Sequence, residues 1–167
     1  MKKIIIDSST YSNFVRTGTF WILKKLFKNR LAMTYLVKEE IKKGFENYLE
    51  LRSLNDHIKE GSLEIISDLS EQELVLITNL PRCLSSADKS CISVAKERKA
   101  TIASDDEDII REAKNFNINL IDTIEIVIIA VQKRLFECNK GNEILEKMEK
   151  EANFLTINRL DCNKMEN

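Results

Sequence analysis

Residues 4–10 read Ile-Ile-Ile-Asp-Ser-Ser-Thr, and this stretch decides the fold. Three consecutive β-branched residues are typical of a short parallel strand that is buried on both faces. The polar residues after them can each cap a helix, because their side chains accept hydrogen bonds from the first amides of a helix. The stretch therefore predicts a buried strand that leads directly into a helix, with Asp7 at the turn between them.

The same order of strand and helix recurs along the chain. Further short apolar stretches predict strands at residues 32–36, 63–66, 101–103 and 119–121. Hydrophobic periodicity and capping residues predict helices at 11–27 with a break near Gly18, and at 37–59, 70–80, 85–98, 107–115, 123–136 and 142–152. This alternation predicts an α/β fold with three α/β/α layers and a central, mainly parallel sheet.

The length and composition indicate one domain. The chain has 167 residues and a net charge of −1, so a general cationic field cannot explain nucleic-acid binding, and any such surface must be local. We expect residues 1–138 to form the main domain and residues 139–167 a helical extension of it. The final residues are polar, and we expect them to be frayed.

The four cysteines and the hydropathy predict where the protein resides. No two cysteines form a C-x-x-C pair, and the one histidine, His57, is distant from all of them in sequence, which argues against a zinc site. Buried, reduced thiols are the expectation. No segment is long and apolar enough to span a bilayer, so we expect a cytoplasmic protein.

Acidic residues stand at positions that a parallel sheet brings together. Asp7 follows the first strand, and Asp105 and Asp106 follow the strand at 101–103. Asp88 lies in the first turn of the helix before that strand, and Glu40 lies near the start of the helix after the second strand. Ligands of open α/β sheets bind outside the carboxyl ends of the strands. We therefore expect these acids to converge on one pocket.

A cluster of carboxylates favours a hard divalent cation. Like charges in a partly desolvated site repel, and some of the acids would remain protonated at neutral pH without a counter-ion. Oxygen-only ligation is preferred by Mg²⁺ or Mn²⁺, which can activate water and stabilise charge on a phosphoryl group. The sequence therefore predicts metal-assisted hydrolysis without a nucleophilic side chain.

Five segments between residues 2 and 136 resemble the motifs of the PIN-domain nuclease superfamily, either its toxin-like members or a related branch. They read Ile-Ile-Ile-Asp-Ser-Ser, Val-Lys-Glu-Glu-Ile, Leu-Ser-Ser-Ala-Asp-Lys-Ser-Cys, Ala-Thr-Ile-Ala-Ser-Asp-Asp and Asn-Ile-Asn-Leu-Ile-Asp-Thr. Each motif is short, and it is their order and spacing together that make the resemblance specific.

The resemblance implies a PIN-like fold and a metal-dependent endoribonuclease, often the toxin of a toxin–antitoxin pair. It implies RNA as substrate, a homodimer and a small antitoxin protein as partner. Carried over by position, the metal-binding and catalytic residues are Asp7, Glu40, Asp88 and Asp106, with Asp105 as an auxiliary metal ligand. Ser9 and Ser104 match hydroxyl residues that orient the acids. We also expect Lys89 and Arg82, which lie near the predicted pocket, to contact phosphates of the nucleic acid.

Three alternatives remain at this level. Each acid taken singly could be a helix cap or a solvated surface residue. The fold could be a catalytically weak or inactive module that binds RNA or protein. A phosphatase with an aspartyl nucleophile would require a second Asp two residues after Asp7, where this chain has Ser9.

Overall fold

A computed structural model describes residues 2–152 and 159–162. The terminal residues 163–167, for which we expected a frayed end, lie outside the described part of the chain. Among the described residues, no helix is both long enough and apolar enough to cross a membrane.

A five-stranded parallel sheet forms the centre of the fold. Its strands are β1 (Ile4–Ile6), β2 (Leu31–Thr34), β3 (Glu64–Ile66), β4 (Thr101–Ala103) and β5 (Asn119–Ile121). They are arranged in the order β3-β2-β1-β4-β5, and every pairing is parallel. The central strand β1 is buried on both faces, as its three isoleucines predict. The predicted parallel α/β architecture is confirmed.

The strands are connected by helices that cover the sheet. The α-helices are α1 (Ser8–Arg16), α2 (Phe20–Leu26), α3 (Tyr35–Lys43), α4 (Leu54–Lys59), α5 (Glu71–Asn79), α6 (Ser86–Glu97), α7 (Glu107–Asn115), α8 (Thr123–Gln132) and α9 (Cys138–Ala152). A short 3-10 helix covers Leu49–Ser53. The last helix, α9, packs against α1 and α8.

The prediction of one continuous helix over residues 37–59 was wrong. Helix α3 ends at Lys43, and the chain then turns at Gly44 before the 3-10 helix and α4. A Cβ atom at Gly44 would lie 3.0 Å from Leu51 Cδ1 and 3.3 Å from the Ile41 carbonyl oxygen, so a side chain here would require its neighbours to shift. The apolar residues that predicted one continuous helical face belong instead to this turn, to the 3-10 helix and to α4.

The prediction that all cysteines are buried, reduced thiols was also wrong. Cys138 and Cys162 form a disulfide, and their Cα atoms are 5.6 Å apart. Cys83 is exposed, and of the four only Cys91 is a buried thiol. Asn142 of α9 accepts a hydrogen bond from the Leu160 amide (2.7 Å), which brings the two distant cysteines together. A separation of 24 residues gives no sign of this pairing in the sequence.

Candidate active site

Asp7 is held at the carboxyl end of β1 by hydrogen bonds to both of its oxygens. As the N-cap of α1, its Oδ1 accepts from the Thr10 amide (2.7 Å). Its Oδ2 accepts from the Ser9 hydroxyl (2.7 Å) and the Ser104 hydroxyl (2.5 Å). Ser104 also accepts a hydrogen bond from the Asp106 amide, so that it connects the ends of β1 and β4.

Burial has the largest influence on the pKa of the Asp7 carboxyl group. It raises the pKa of Asp7 from 3.8 to about 6, although hydrogen bonds from Ser104, Ser9 and the Thr10 amide lower it. The negative charge of Asp105 adds a further increase. A buried carboxyl group that is only partly ionised near neutral pH becomes fully ionised when a cation lies beside it.

Glu40 projects from α3 into a partly buried position beside two other acids. Burial raises the pKa of Glu40, and the negative charges of Asp88 and Asp106 raise it further, while Ser8 and Lys43 oppose the rise. Its Oε2 atom is buried and has no hydrogen-bond partner among the described residues. Buried polar atoms are nearly always hydrogen-bonded, so this oxygen requires an explanation.

Asp88 and Asp106 each serve as a helix cap with one carboxylate oxygen. Asp88 lies in the first turn of α6, where its Oδ2 accepts from the Ser85 amide (3.0 Å) in a capping box. Asp106 is the N-cap of α7, and its Oδ1 accepts from the amides of Asp108 (2.9 Å) and Ile109 (3.0 Å). The capping alternative therefore describes their local geometry, but it engages only one oxygen of each carboxylate among the described residues.

Asp105 differs from the other acids, because its two oxygens accept four hydrogen bonds. The Thr123 amide donates to Oδ1 (2.8 Å). The hydroxyls of Thr123 (2.5 Å) and Thr10 (3.3 Å) and the Asn13 side chain (3.1 Å) donate to Oδ2. These contacts join the end of β4 to α1 and α8. They favour a structural role for Asp105 over that of a metal ligand.

The acids share one region of the molecule. Burial raises the pKa of Cys91, and the negative charges of Asp7, Asp88 and Glu40 raise it further, so this thiol lies within electrostatic range of all three. Within residues 2–152 and 159–162, no three or more His, Cys, Asp or Glu side chains form a compact metal-binding group. The carboxylates therefore interact electrostatically without forming a preassembled ligand sphere.

The two basic residues predicted to contact phosphates lie close to Asp88 in sequence, in the first turn of α6 and in the segment before it. Lys89 follows Asp88 in the first turn of α6 and is half-buried, whereas Arg82 is exposed in the turn before that helix. Neither makes a hydrogen bond or ion pair that would occupy its charge among the described residues.

Sequence reasoning missed the residues that hold Asp105. Thr10, Asn13 and Thr123 donate to it from α1 and α8. The position of Thr123, two residues after the end of β5, was a usable signal, because the carboxyl end of a parallel strand faces the ligand side of the sheet. Asn13 gave no signal, because a polar residue in a predicted helix is usually exposed.

Acidic residues at the carboxyl end of a five-stranded parallel sheet, each supplied by a different element, define a PIN-like class of protein. A family model described as "PIN domain" matches residues 3–161. The chain therefore belongs to the PIN-domain family, whose members are generally nucleases that use divalent metals.

The other comparisons add the fold alone. PAE2754 from Pyrobaculum aerophilum, a solved structure, is 18% identical to this chain, with a TM-score of 0.50. The similarity covers 72% of this chain and 90% of that one. No curated protein matches this sequence significantly.

Proposed function

We propose that this protein is a metal-dependent endoribonuclease that hydrolyses phosphodiester bonds of RNA. The observation that carries the proposal is the buried Oε2 atom of Glu40, which has no hydrogen-bond partner and lies beside the charges of Asp88 and Asp106. An oxygen in this position is destabilised by desolvation and repulsion, and a bound cation relieves both.

The donor set fits a hard divalent ion. Asp7, Glu40, Asp88 and Asp106 offer only carboxylate oxygens, which suit Mg²⁺ or Mn²⁺ better than softer metals. When bound, such an ion lowers the pKa of a coordinated water and stabilises negative charge on the phosphoryl group. Asp105 stays outside this set, because its oxygens already accept hydrogen bonds from four donors.

The other residues around the site position the acids and the substrate. Ser9 and Ser104 fix the orientation of the Asp7 carboxylate through their hydroxyl groups. Lys89 and Arg82 approach phosphates of the RNA strand from the α6 side and offset the negative charge of the site.

The biological setting is part of the same proposal. We propose that the protein acts in the cytoplasm as a homodimer, and that it is the toxin of a toxin–antitoxin pair with a small inhibitory protein. We also propose that residues 139–167 extend the nuclease domain of residues 1–138.

Cleavage of RNA by matched variants tests the activity. Purified protein with Mg²⁺ or Mn²⁺ should cut RNA, and Glu40→Gln and Asp88→Asn should each lower the rate by at least about 100-fold, since even losing a partner of a metal ligand costs up to this much. Glu39→Gln is the matched control, because Glu39 is adjacent in sequence but pairs with Lys42. Equal rates for wild type and all variants would indicate a contaminating nuclease. Metal-independent RNA binding without cleavage would instead support an inactive binding module.

A further inference from the structure

A groove with both polar and apolar lining residues begins at Glu40 and runs along α1. It has a volume of about 240 Å³, and its lining includes Ser8, Ser12, Arg16, Glu40 and Tyr48. Glu40 lies in both the groove and the acidic site. Ser9 also lines the groove and donates a hydrogen bond to Asp7. The groove is therefore continuous with the candidate active site.

The spacing of α1 places three polar side chains in one row. Ser8, Ser12 and Arg16 are four residues apart, so they lie on the same face of the helix. From Ser8 to Arg16 the helix rises about 12 Å along its axis. This distance is more than three times the rise of about 3.4 Å per nucleotide in a stacked strand. The row is long enough to follow a strand from the acids to the next phosphate and beyond.

Arg16 is held in place at the far end of this row. Its guanidinium lies 3.9 Å from the centroid of the Tyr48 ring, and its Nη2 donates a hydrogen bond to the Glu151 carbonyl oxygen. A guanidinium has five N–H donors, so these contacts leave others for an anion. Because the side chain is already ordered, binding a phosphate costs less conformational entropy than it would for a mobile arginine.

Ser12 lies between the acids and Arg16 and is half-buried. Its hydroxyl makes no hydrogen bond to any residue in the described part of the chain. By contrast, hydrogen bonding from Ser8 lowers the pKa of Glu40, and Ser9 donates to Asp7. Ser12 and Arg16 are thus the polar groups of the α1 row that do not serve the acids.

We propose that this groove binds the sugar–phosphate backbone of the RNA strand on one side of the cleaved bond, with Ser12 and Arg16 contacting the same phosphate. The proposal deepens the proposed nuclease function and rests on it. A hydroxyl and a guanidinium are common phosphate donors and carry no base preference, so this contact positions the strand without selecting its sequence. The strand would pass from Lys89 and Arg82 on one side of the acids to Arg16 on the other.

Binding of a short, fluorescein-labelled, single-stranded RNA, measured by fluorescence anisotropy with EDTA present, tests the proposal. Arg16→Gln should weaken binding about tenfold. It should also lower the slope of log affinity against log salt concentration by about 0.7, the value for one lost phosphate contact on a single strand. Arg111→Gln is the matched control, because Arg111 is exposed on α7 outside the groove and pairs with Asp108. It should leave both the affinity and the slope unchanged.

A second variant is needed because Arg16→Gln also removes contacts to Tyr48 and to α9. Ser12→Glu removes no hydrogen bond and adds a negative charge at the centre of the groove, so it should weaken binding at least about fivefold. Ser12→Ala should weaken it less. Wild-type affinity in both Ser12→Glu and Arg16→Gln, or no measurable binding by the wild type at low salt, would overturn the proposal.

Cleavage assays on the same variants separate this proposal from the nuclease function. If the wild type and the groove variants cut RNA equally well and bind it equally well, the groove proposal fails while the nuclease function stands. If the wild type does not cut RNA but Ser12→Glu still loses RNA binding, the nuclease function fails while the groove remains a strand-binding surface.

Discussion

The acids at the carboxyl end of the sheet fall into two groups that differ in how their oxygens are satisfied. Asp7 and Asp105, which we call the closed pair, together accept seven hydrogen bonds from protein groups. Glu40, Asp88 and Asp106 form the open trio, in which at least one oxygen of each carboxylate accepts no hydrogen bond from the described residues.

The difference shows which part of the site is built by the protein and which part requires a ligand. The closed pair ties β1 and β4 to α1 and α8, and each of its four carboxylate oxygens accepts at least one hydrogen bond from the protein. The open trio brings three negative charges together, and the buried Oε2 of Glu40 has no hydrogen-bond partner among the described residues. A divalent cation held by the trio together with Asp7, as proposed above, would complete the site.

The largest effect on stability is expected in the closed pair. Asp105→Ala removes four hydrogen bonds and leaves donors such as Asn13 unsatisfied, so the free energy of unfolding should fall by about 4 kcal/mol. Urea denaturation measures this change. Asp108→Ala, which breaks only an exposed pair with Arg111, should cost less than about 1 kcal/mol. A loss of similar size in both variants would contradict the structural role of Asp105.

The second effect is a dependence of stability on pH that originates in Asp7. Its pKa is higher in the folded state, about 6, than the ordinary value of 3.8, so the folded protein binds this proton more tightly. The free energy of unfolding should therefore decrease by about 3 kcal/mol as the pH rises from below 3.8 to above 6 without metal. Asp7→Asn should lack this decrease. Denaturation of both proteins in EDTA across this pH range gives the difference curve, and parallel curves would refute the assignment.

The third effect separates the open trio from its surroundings. Mn²⁺ or Mg²⁺ at about 100 times its dissociation constant should stabilise the wild type by about 2.7 kcal/mol, measured as a rise in Tm. Glu40→Gln and Asp88→Asn should lose most of this rise, whereas Glu39→Gln should keep it. If the ion stabilises all four proteins equally, the cation binds outside the open trio.

Much of the fold was predictable because the strands are short, apolar and followed by capping residues. β1, β4 and β5 lie where Ile4–Ile6, Thr101–Ala103 and Asn119–Ile121 predicted them. The turn at Gly44 was missed, because periodicity cannot distinguish a continuous helix from two shorter ones whose apolar residues face the same core. The 138–162 disulfide was missed because it depends on the contact between α9 and Leu160, which the sequence does not reveal.

The sequence predicted the region of the candidate site, but it did not predict which acids belong to the closed pair and which to the open trio. The position of an acid after a strand or at a helix start follows from sequence, and this brought Asp7, Asp88 and Asp106 into one region. Which oxygens accept protein hydrogen bonds depends on distant residues such as Thr123, which reaches Asp105 across 18 positions. The sequence therefore could not distinguish Asp105 as a structural acid from Asp106 as an open one.

The smallest expected effect concerns the hydrogen bonds that lower the pKa of Asp7. Ser9→Ala removes one of the two hydroxyl donors to Oδ2, whereas the Ser104 hydroxyl remains at 2.5 Å. Because hydrogen bonds to the ionised form lower a pKa, the pKa of Asp7 should rise further, by less than about one unit, at a cost of about 1 kcal/mol. The pH midpoint of Mn²⁺ binding, measured without RNA, should move upward by the same amount. Ser86→Ala, on the exposed first turn of α6, should leave the midpoint in place. An unchanged midpoint in Ser9→Ala would mean that Ser104 and the Thr10 amide alone determine the pKa of Asp7, and that the Ser9 hydroxyl does not contribute to it.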